Sequence, residues 1–206
     1  MVRQANIIIT NQRMATPKYT MTQQAIEEEW LLVQAVQKNP ARFSTLYTRY
    51  YEQIFRFIYQ RTADEDITAD LASQTFLKSY EKIGTYSHRG VPFSAWLYTI
   101  ALNEVNQFFR KTNKNRVVTL EDNYVNNLKY EFDNKEDLEI NIAMLGKVIQ
   151  MLKPDEITLV ELRYFEERPF KEVADILGLT ETNAKVKVHR LIQKMKDLFN
   201  ELNRDK

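Results

Sequence analysis

The sequence contains no cysteine and only two histidines, His88 and His189. This excludes a disulfide framework and a thiolate metal site, and it leaves too few ligands for a structural zinc. Glycine occurs 4 times and proline 5 times in 206 residues, which disfavours a turn-rich sheet protein. The abundance of Leu, Ile, Glu, Lys, Gln and Ala favours helices instead. There is no glycine-rich phosphate loop and no nucleophile elbow, and neither histidine has a motif-spaced carboxylate, so neither an enzyme nor a cofactor is expected. The apolar triplet at residues 7–9 is too short for a signal peptide, and no later run approaches a membrane span. A cytoplasmic protein is the expectation. The 29 basic and 28 acidic side chains nearly cancel, so any case for nucleic acid rests on local clustering.

What the chain does have is 44% apolar residues, with aromatics making up 12% of the whole chain, enough for folded cores. Residues 1–24 are polar, mixed and aperiodic; they are expected to be a disordered extension, inside which Met14 and Met21 offer alternative translation starts. A helix over 25–37 carries Trp30, Leu31, Val33 and Val36 and ends near Asn39-Pro40, because proline disfavours helix in its predecessor. Over 41–61, Phe43, Leu46, Tyr47, Tyr50, Ile54, Phe57 and Ile58 recur at steps of one, three and four along a helical stripe. Thr62 and Glu65 fit a capping box for the next helix, with Ile67, Leu71, Ala72, Phe76, Tyr80 and Ile83, stopped at Gly84. A loop with Gly90 and Pro92 follows, and then a helix over 93–111. Residues 112–137 are Asn-rich and read as a linker, and helical period returns over 138–152, 155–166, 170–177 and 181–202. The expected fold is all-α: a domain at 25–111 and a smaller one at 138–206, joined by a flexible acidic linker.

The clearest motif is the run from Phe170 through Ala174, Gly178 and Thr180 into the last helix. A short helix with a small residue inside, a glycine turn, a threonine cap and a second helix is the pattern of a helix-turn-helix. Ala184, Val188, Leu191, Met195 and Leu198 share one face of that second helix, while Asn183, Lys187, Arg190 and Lys194 share another, flanked by Lys185, His189 and Lys196. From residue 182 to 196 there are five Lys or Arg and no acid. Such a single-sign cluster suits phosphates, with Asn183 and Arg190 able to bond base edges; a solvated basic face is the plainer alternative. In the helix over 93–111, Trp96, Thr99, Asn103, Asn106 and Arg110 line a non-core face. A ring that stacks, amides that read base edges and a terminal basic pair suit unpaired DNA.

The runs Leu46-Tyr47-Thr48-Arg49-Tyr50-Tyr51, Ala63-Asp64-Glu65-Asp66-Ile67, Thr75-Phe76-Leu77-Lys78 and Phe93-Ser94-Ala95-Trp96-Leu97-Tyr98-Thr99-Ile100-Ala101-Leu102-Asn103 resemble region two of the extracytoplasmic-function RNA polymerase sigma factors. Leu162-Arg163-Tyr164-Phe165 and the helix-turn-helix resemble region four. The resemblance implies a chain that joins core polymerase and directs it to promoters. Asp64, Glu65, Asp66, Asp70, Gln74 and Lys78 would then face the polymerase clamp helices. Tyr86, His88, Arg89, Trp96, Thr99, Asn103, Asn106, Arg110 and Lys111 would meet melting minus-ten DNA. Thr182, Asn183, Lys185, Lys187, His189, Arg190 and Lys194 would read the minus-thirty-five element while this domain binds the flap. An anti-sigma factor is a further implied partner. Leu102 stands where the family usually has arginine, a departure that bears on contact with the DNA backbone at that point. The acids Glu121, Asp122, Glu131, Asp133, Glu136, Asp137 and Glu139 outnumber Lys129 and Lys135 in and around the linker. They fit either a strand threading a basic nucleic-acid channel or a solubilising tether.

Overall fold

The computed structural model describes residues 6–9, 21–112, 114, 116–120, 128 and 142–204. Two compact units contain them, one built on Thr20–Lys114 together with Asp175–Gly178 and the other on Asn115–Ala174 and Leu179–Lys206 with the N-terminal strand.

In the first unit α1 (Gln23–Lys38), a 3-10 turn (Pro40–Arg42), α2 (Phe43–Thr62), α3 (Glu65–Lys82), a second 3-10 turn (Ile83–Thr85) and α4 (Phe93–Thr112) follow one another. The stripes meet in one core of Val33 and Val36, Leu46, Ile54, Phe57 and Ile58, Leu71, Ala72 and Phe76, and Leu97, Ala101 and Val105, all buried. Each such side chain removed from water contributes about 1.5–3 kcal/mol for the larger ones. Three residues assigned to the stripes by their spacing are exposed instead: Leu31, Tyr47 and Tyr80. On α1 the buried line runs through positions 26, 29, 33 and 36, which leaves Leu31 on the opposite side. Tyr47 and Tyr80 lie at the margin, where Tyr47 packs on Tyr51 and Phe76 and Tyr80 on Phe43.

The start of α3 also differs from expectation. α2 runs through Thr62 and stops on Ala63, whose φ of 50° is left-handed. The cap of α3 is Asp64, whose carboxylate accepts the Ile67 N–H at 3.0 Å. Thr62 instead has its hydroxyl 2.7 Å from that of Thr68, so the box with Glu65 does not form.

In the second unit β1 (Asn6–Ile9) pairs in parallel with β2 (Val117–Leu120), Asn6 opposite Val117. Both strands lie in segments to which the sequence assigns no fold, the extension 1–24 and the linker 112–137. This ribbon is the one sheet among the described residues; the rest is helical. Glu121, Asp122, Glu131, Asp133, Glu136, Asp137 and Glu139 lie outside the described residues. Next come α5 (Ile142–Gln150), α6 (Pro154–Val160) with a π turn (Glu161–Phe165), α7 (Phe170–Leu177) and α8 (Glu181–Arg204). The π turn closes with Glu166 N–H on the Glu161 carbonyl at 2.8 Å, and Glu167 at φ 51° ends it. Arg168, fully buried just beyond, meets Glu172 at 3.2 Å, since a charge removed from water requires an opposite charge.

Pro154 opens α6, and Glu156 caps it: its carboxylate accepts the Lys153 N–H at 2.7 Å and also holds Lys194 of α8 at 2.7 Å. Partial burial pushes this carboxyl up, but the Lys194 and Lys153 hydrogen bonds and the charges of both lysines outweigh that and hold it below its ordinary 4.5. A carboxylate favoured in this way stabilises the fold fully above its unfolded pKa and stops doing so as pH falls through the lowered folded value. Glu156→Gln is therefore expected to lower unfolding stability at neutral pH by on the order of 1 kcal/mol. In denaturant titrations the gap to the parent should close as pH falls below the ordinary carboxylate range and through the lowered folded value. A gap of the same size at both pH values would contradict the assignment.

Candidate nucleic-acid interface

α4 starts directly after Pro92, and its outward line begins at Trp96. Positions 96, 99, 103, 106 and 110 are separated by three and four, so they form one line along the helix. Trp96 and Thr99 are half-buried, and Asn103, Asn106, Arg110 and Lys111 are exposed. The Trp96 ring beds on Tyr86 at 4.8 Å and Phe93 at 5.4 Å between centroids, which fixes its plane while leaving part of it open. Arg110 and Lys111 in the last turn also complement the negative end of the helix dipole. The Thr99 hydroxyl donates to the Ala95 carbonyl at 3.1 Å.

The loop residues are less open than their sequence suggests. Tyr86 is buried, and burial pushes its phenol up to about 12, so it stays neutral and supports Trp96 from beneath instead of presenting its own face. His88 is half-buried and stacks on Trp30 at 5.4 Å with Nε2 3.5 Å from Glu27. Arg89 is exposed. Leu102, the departure from the family pattern, is 7% exposed; it is a core side chain, and this position supplies no cation to the surface.

The helix-turn-helix is built as its residue types require. Gly178 turns the chain at φ 64°, a left-handed conformation open to glycine without strain. Thr180 Oγ1 accepts the Asn183 N–H at 3.2 Å and so starts α8. Ala174 and Ala184 are buried. Thr182, Asn183, Lys185, Lys187, His189 and Arg190 are exposed, with Lys185 paired to Glu181 at 2.7 Å, both largely solvated. Lys194 belongs to the fold more than to this surface, because Glu156 holds it. Sequence reasoning missed Val186, which is exposed. Its place three residues after Asn183 and four before Arg190 puts it on the same stripe as both, and an apolar side chain there is of the kind that can meet a thymine methyl. That spacing was the available signal.

On α3, Glu65, Asp66, Asp70 and Gln74 are exposed, and Leu77, at 58% exposure, continues their line. Asp64 is engaged as the cap. Lys78 is turned inward, 2.6 Å from the nearly buried Glu104 of α4, and ties the two helices together. The surface is thus acidic with an apolar end, and Leu77 is a member that charge patterning alone does not reveal.

Two family models match the chain: Sigma-70 region 2 over residues 46–115 and Sigma-70, region 4 over residues 142–195. Together they cover more than half of the sequence, the first spanning α2–α4 and the second α5 to most of α8. The ECF RNA polymerase sigma factor BldN of Streptomyces coelicolor is 30% identical over 170 residues, 82% of this chain and 64% of BldN. The match therefore spans just under two thirds of that relative. The ECF RNA polymerase sigma factor SigM of Bacillus subtilis is 29% identical over 161 residues, 75% of this chain and 93% of SigM. The solved structure of CnrH in complex with the cytosolic domain of CnrY shares the fold, with a TM-score of 0.55 at 19% identity over 84% of this chain and 97% of that one. With both regions matched in order, on the helices that carry the exposed faces, the chain belongs to the sigma-70 family as an RNA polymerase sigma factor of the extracytoplasmic-function type.

Proposed function

We propose that this chain binds core RNA polymerase and divides promoter recognition between its two units, residues 25–111 acting as region two and 138–206 as region four. The acidic line of Glu65, Asp66, Asp70 and Gln74, ending in Leu77, meets the polymerase clamp helices. Trp96, Asn103, Asn106, Arg110 and Lys111, with Arg89 in the preceding loop, meet the non-template strand as the minus-ten element melts. Thr182, Asn183, Val186, Lys187, His189 and Arg190 enter the major groove of the minus-thirty-five element, while the same domain contacts the flap. An anti-sigma factor that covers these faces restrains the free chain, which works in the cytoplasm. No helix among the described residues is long and apolar enough to cross a membrane. The chain acts as a DNA-binding initiation factor and catalyses no reaction of its own.

The observation that carries this reading is the chemical contrast between the two outward faces. α8 offers a single-sign set of donors suited to an intact duplex, with its phosphates and base edges accessible in the groove. α4 offers one supported ring followed by amides and then cations, a series suited to stacking and reading bases that have left the helix.

The two faces should therefore fail at different steps. Lys187→Ala and Arg190→Ala are expected to weaken the closed complex with polymerase by roughly 5- to 150-fold each, the worth of a lost base-edge or phosphate contact of about 1–3 kcal/mol. Trp96→Ala and Asn103→Ala are expected to leave closed-complex binding nearly intact and to slow or abolish opening. Gel-shift titration beside permanganate footprinting of unpaired thymines separates the steps. If Trp96→Ala and Lys187→Ala share one defect at duplex binding, α4 does not meet melted DNA. Tight, specific duplex binding by the free chain would favour a helix-turn-helix regulator that never engages core.

A further inference from the structure

α1 supplies four side chains to the segment between α3 and α4 and to the first residue of α4, and two of them bond backbone there. Gln37 donates from Nε2 to the carbonyl oxygens of Ile83 and Tyr86, both at 2.8 Å. Glu29, only 3% exposed, accepts the N–H of Phe93, the first residue of α4, at 2.6 Å. Trp30 lies edge-on to Tyr86 at 6.1 Å and stacks on His88 at 5.4 Å, and Glu27 lies 3.5 Å from that histidine. A helix recruited only to cover a core needs apolar contacts. These contacts go further: they bond the Tyr86 carbonyl and the Phe93 N–H, and they give the Ile83 carbonyl a second donor beside the Tyr86 N–H that meets it at 3.1 Å, so both ends of the loop are held. The fixed ends are also the bed of the exposed ring, since Tyr86 and Phe93 are the two aromatics on which Trp96 rests.

We propose that α1 is the positioning element of the base-reading loop, with Gln37 and Glu29 as positioning residues that set where Trp96 and the loop meet an unpaired base. The inference rests on the reading of α4 as the face for melted DNA. Through this arrangement a helix that touches no DNA sets how sharply the minus-ten bases are discriminated.

The test measures a ratio. Full-length chain and core polymerase transcribe pre-opened bubble templates carrying either a minus-ten sequence selected by run-off transcription or the same sequence with single bases changed. Gln37→Met keeps the length of the side chain and removes both donors. It is expected to lower the ratio of selected to altered output about tenfold, in line with two lost hydrogen bonds. A chain that is merely less stable loses output on both templates in proportion and keeps the ratio. Glu29→Gln, whose amide oxygen still accepts the Phe93 N–H, should retain most of the ratio, whereas Glu29→Met should lose it. If Gln37→Met does not accumulate as folded protein, Trp30→Leu is read in the same assay with the same expected loss. A parental ratio in Gln37→Met, or in Trp30→Leu where that replaces it, with the ratio lost in Trp96→Ala, overturns the positioning role alone. A parental ratio in Trp96→Ala overturns the reading of α4, and the positioning role with it.

Discussion

A carboxylate taken out of water must find donors, and in the first unit that constraint falls on Glu29. It lies on the buried line of α1 between Ile26 and Val33, where hydrocarbon would otherwise be expected, and leaving it there unpaired would be strongly destabilising. The Phe93 N–H at 2.6 Å and the Arg49 guanidinium at 3.9 Å answer that demand, and the first of them ties α1 to the start of α4. From this follow the path of the loop, the bed of Tyr86 and Phe93, and the plane of Trp96. The surface that would meet melted DNA thus depends on a buried charge some distance along the chain from it.

The second unit applies the same economy to a different end. Glu156 caps α6 and holds Lys194, so one carboxylate ties the long helix α8 to the start of α6. The basic side chains that remain toward the start of α8 are thereby carried on a fixed rod. Arg168 and Glu172 form a buried pair at the entry to α7, and Thr180 sets the first residue of α8. Each of these polar contacts sits at a helix end, where unpaired backbone groups and turning chain make register uncertain.

Most of the helices were legible in the sequence because apolar residues recur at three and four, and periodicity is a local property. The helix-turn-helix was legible for the same reason, since Ala174, Gly178 and Thr180 act within a few residues of one another. What was not legible depends on partners distant in sequence. Lys78 and Lys194 look like surface cations until Glu104 and Glu156 are brought to them. Tyr86 looks like a loop aromatic until α1 and α4 close over it. β1 and β2 pair across more than a hundred residues, and four-residue strands with three apolar residues each, set in polar stretches, carry too little pattern to announce that pairing. Asp64 was misjudged on a local signal: Thr62 and Glu65 have the spacing of a capping box, but α2 extends through Thr62 and leaves the cap to the next free acceptor. Glu29 had a signal that went unused, a charged residue at spacings of three and four among the apolar residues of its helix.

The claim on which all else turns is that this chain confers promoter-specific initiation on polymerase. Run-off transcription with purified core on fragments of the native genome measures it directly, with and without the chain. Discrete transcripts that require both core and chain, and that disappear with Trp96→Ala, are the expected result. No transcript above that of core alone, together with tight and specific duplex binding by the free chain, would contradict it.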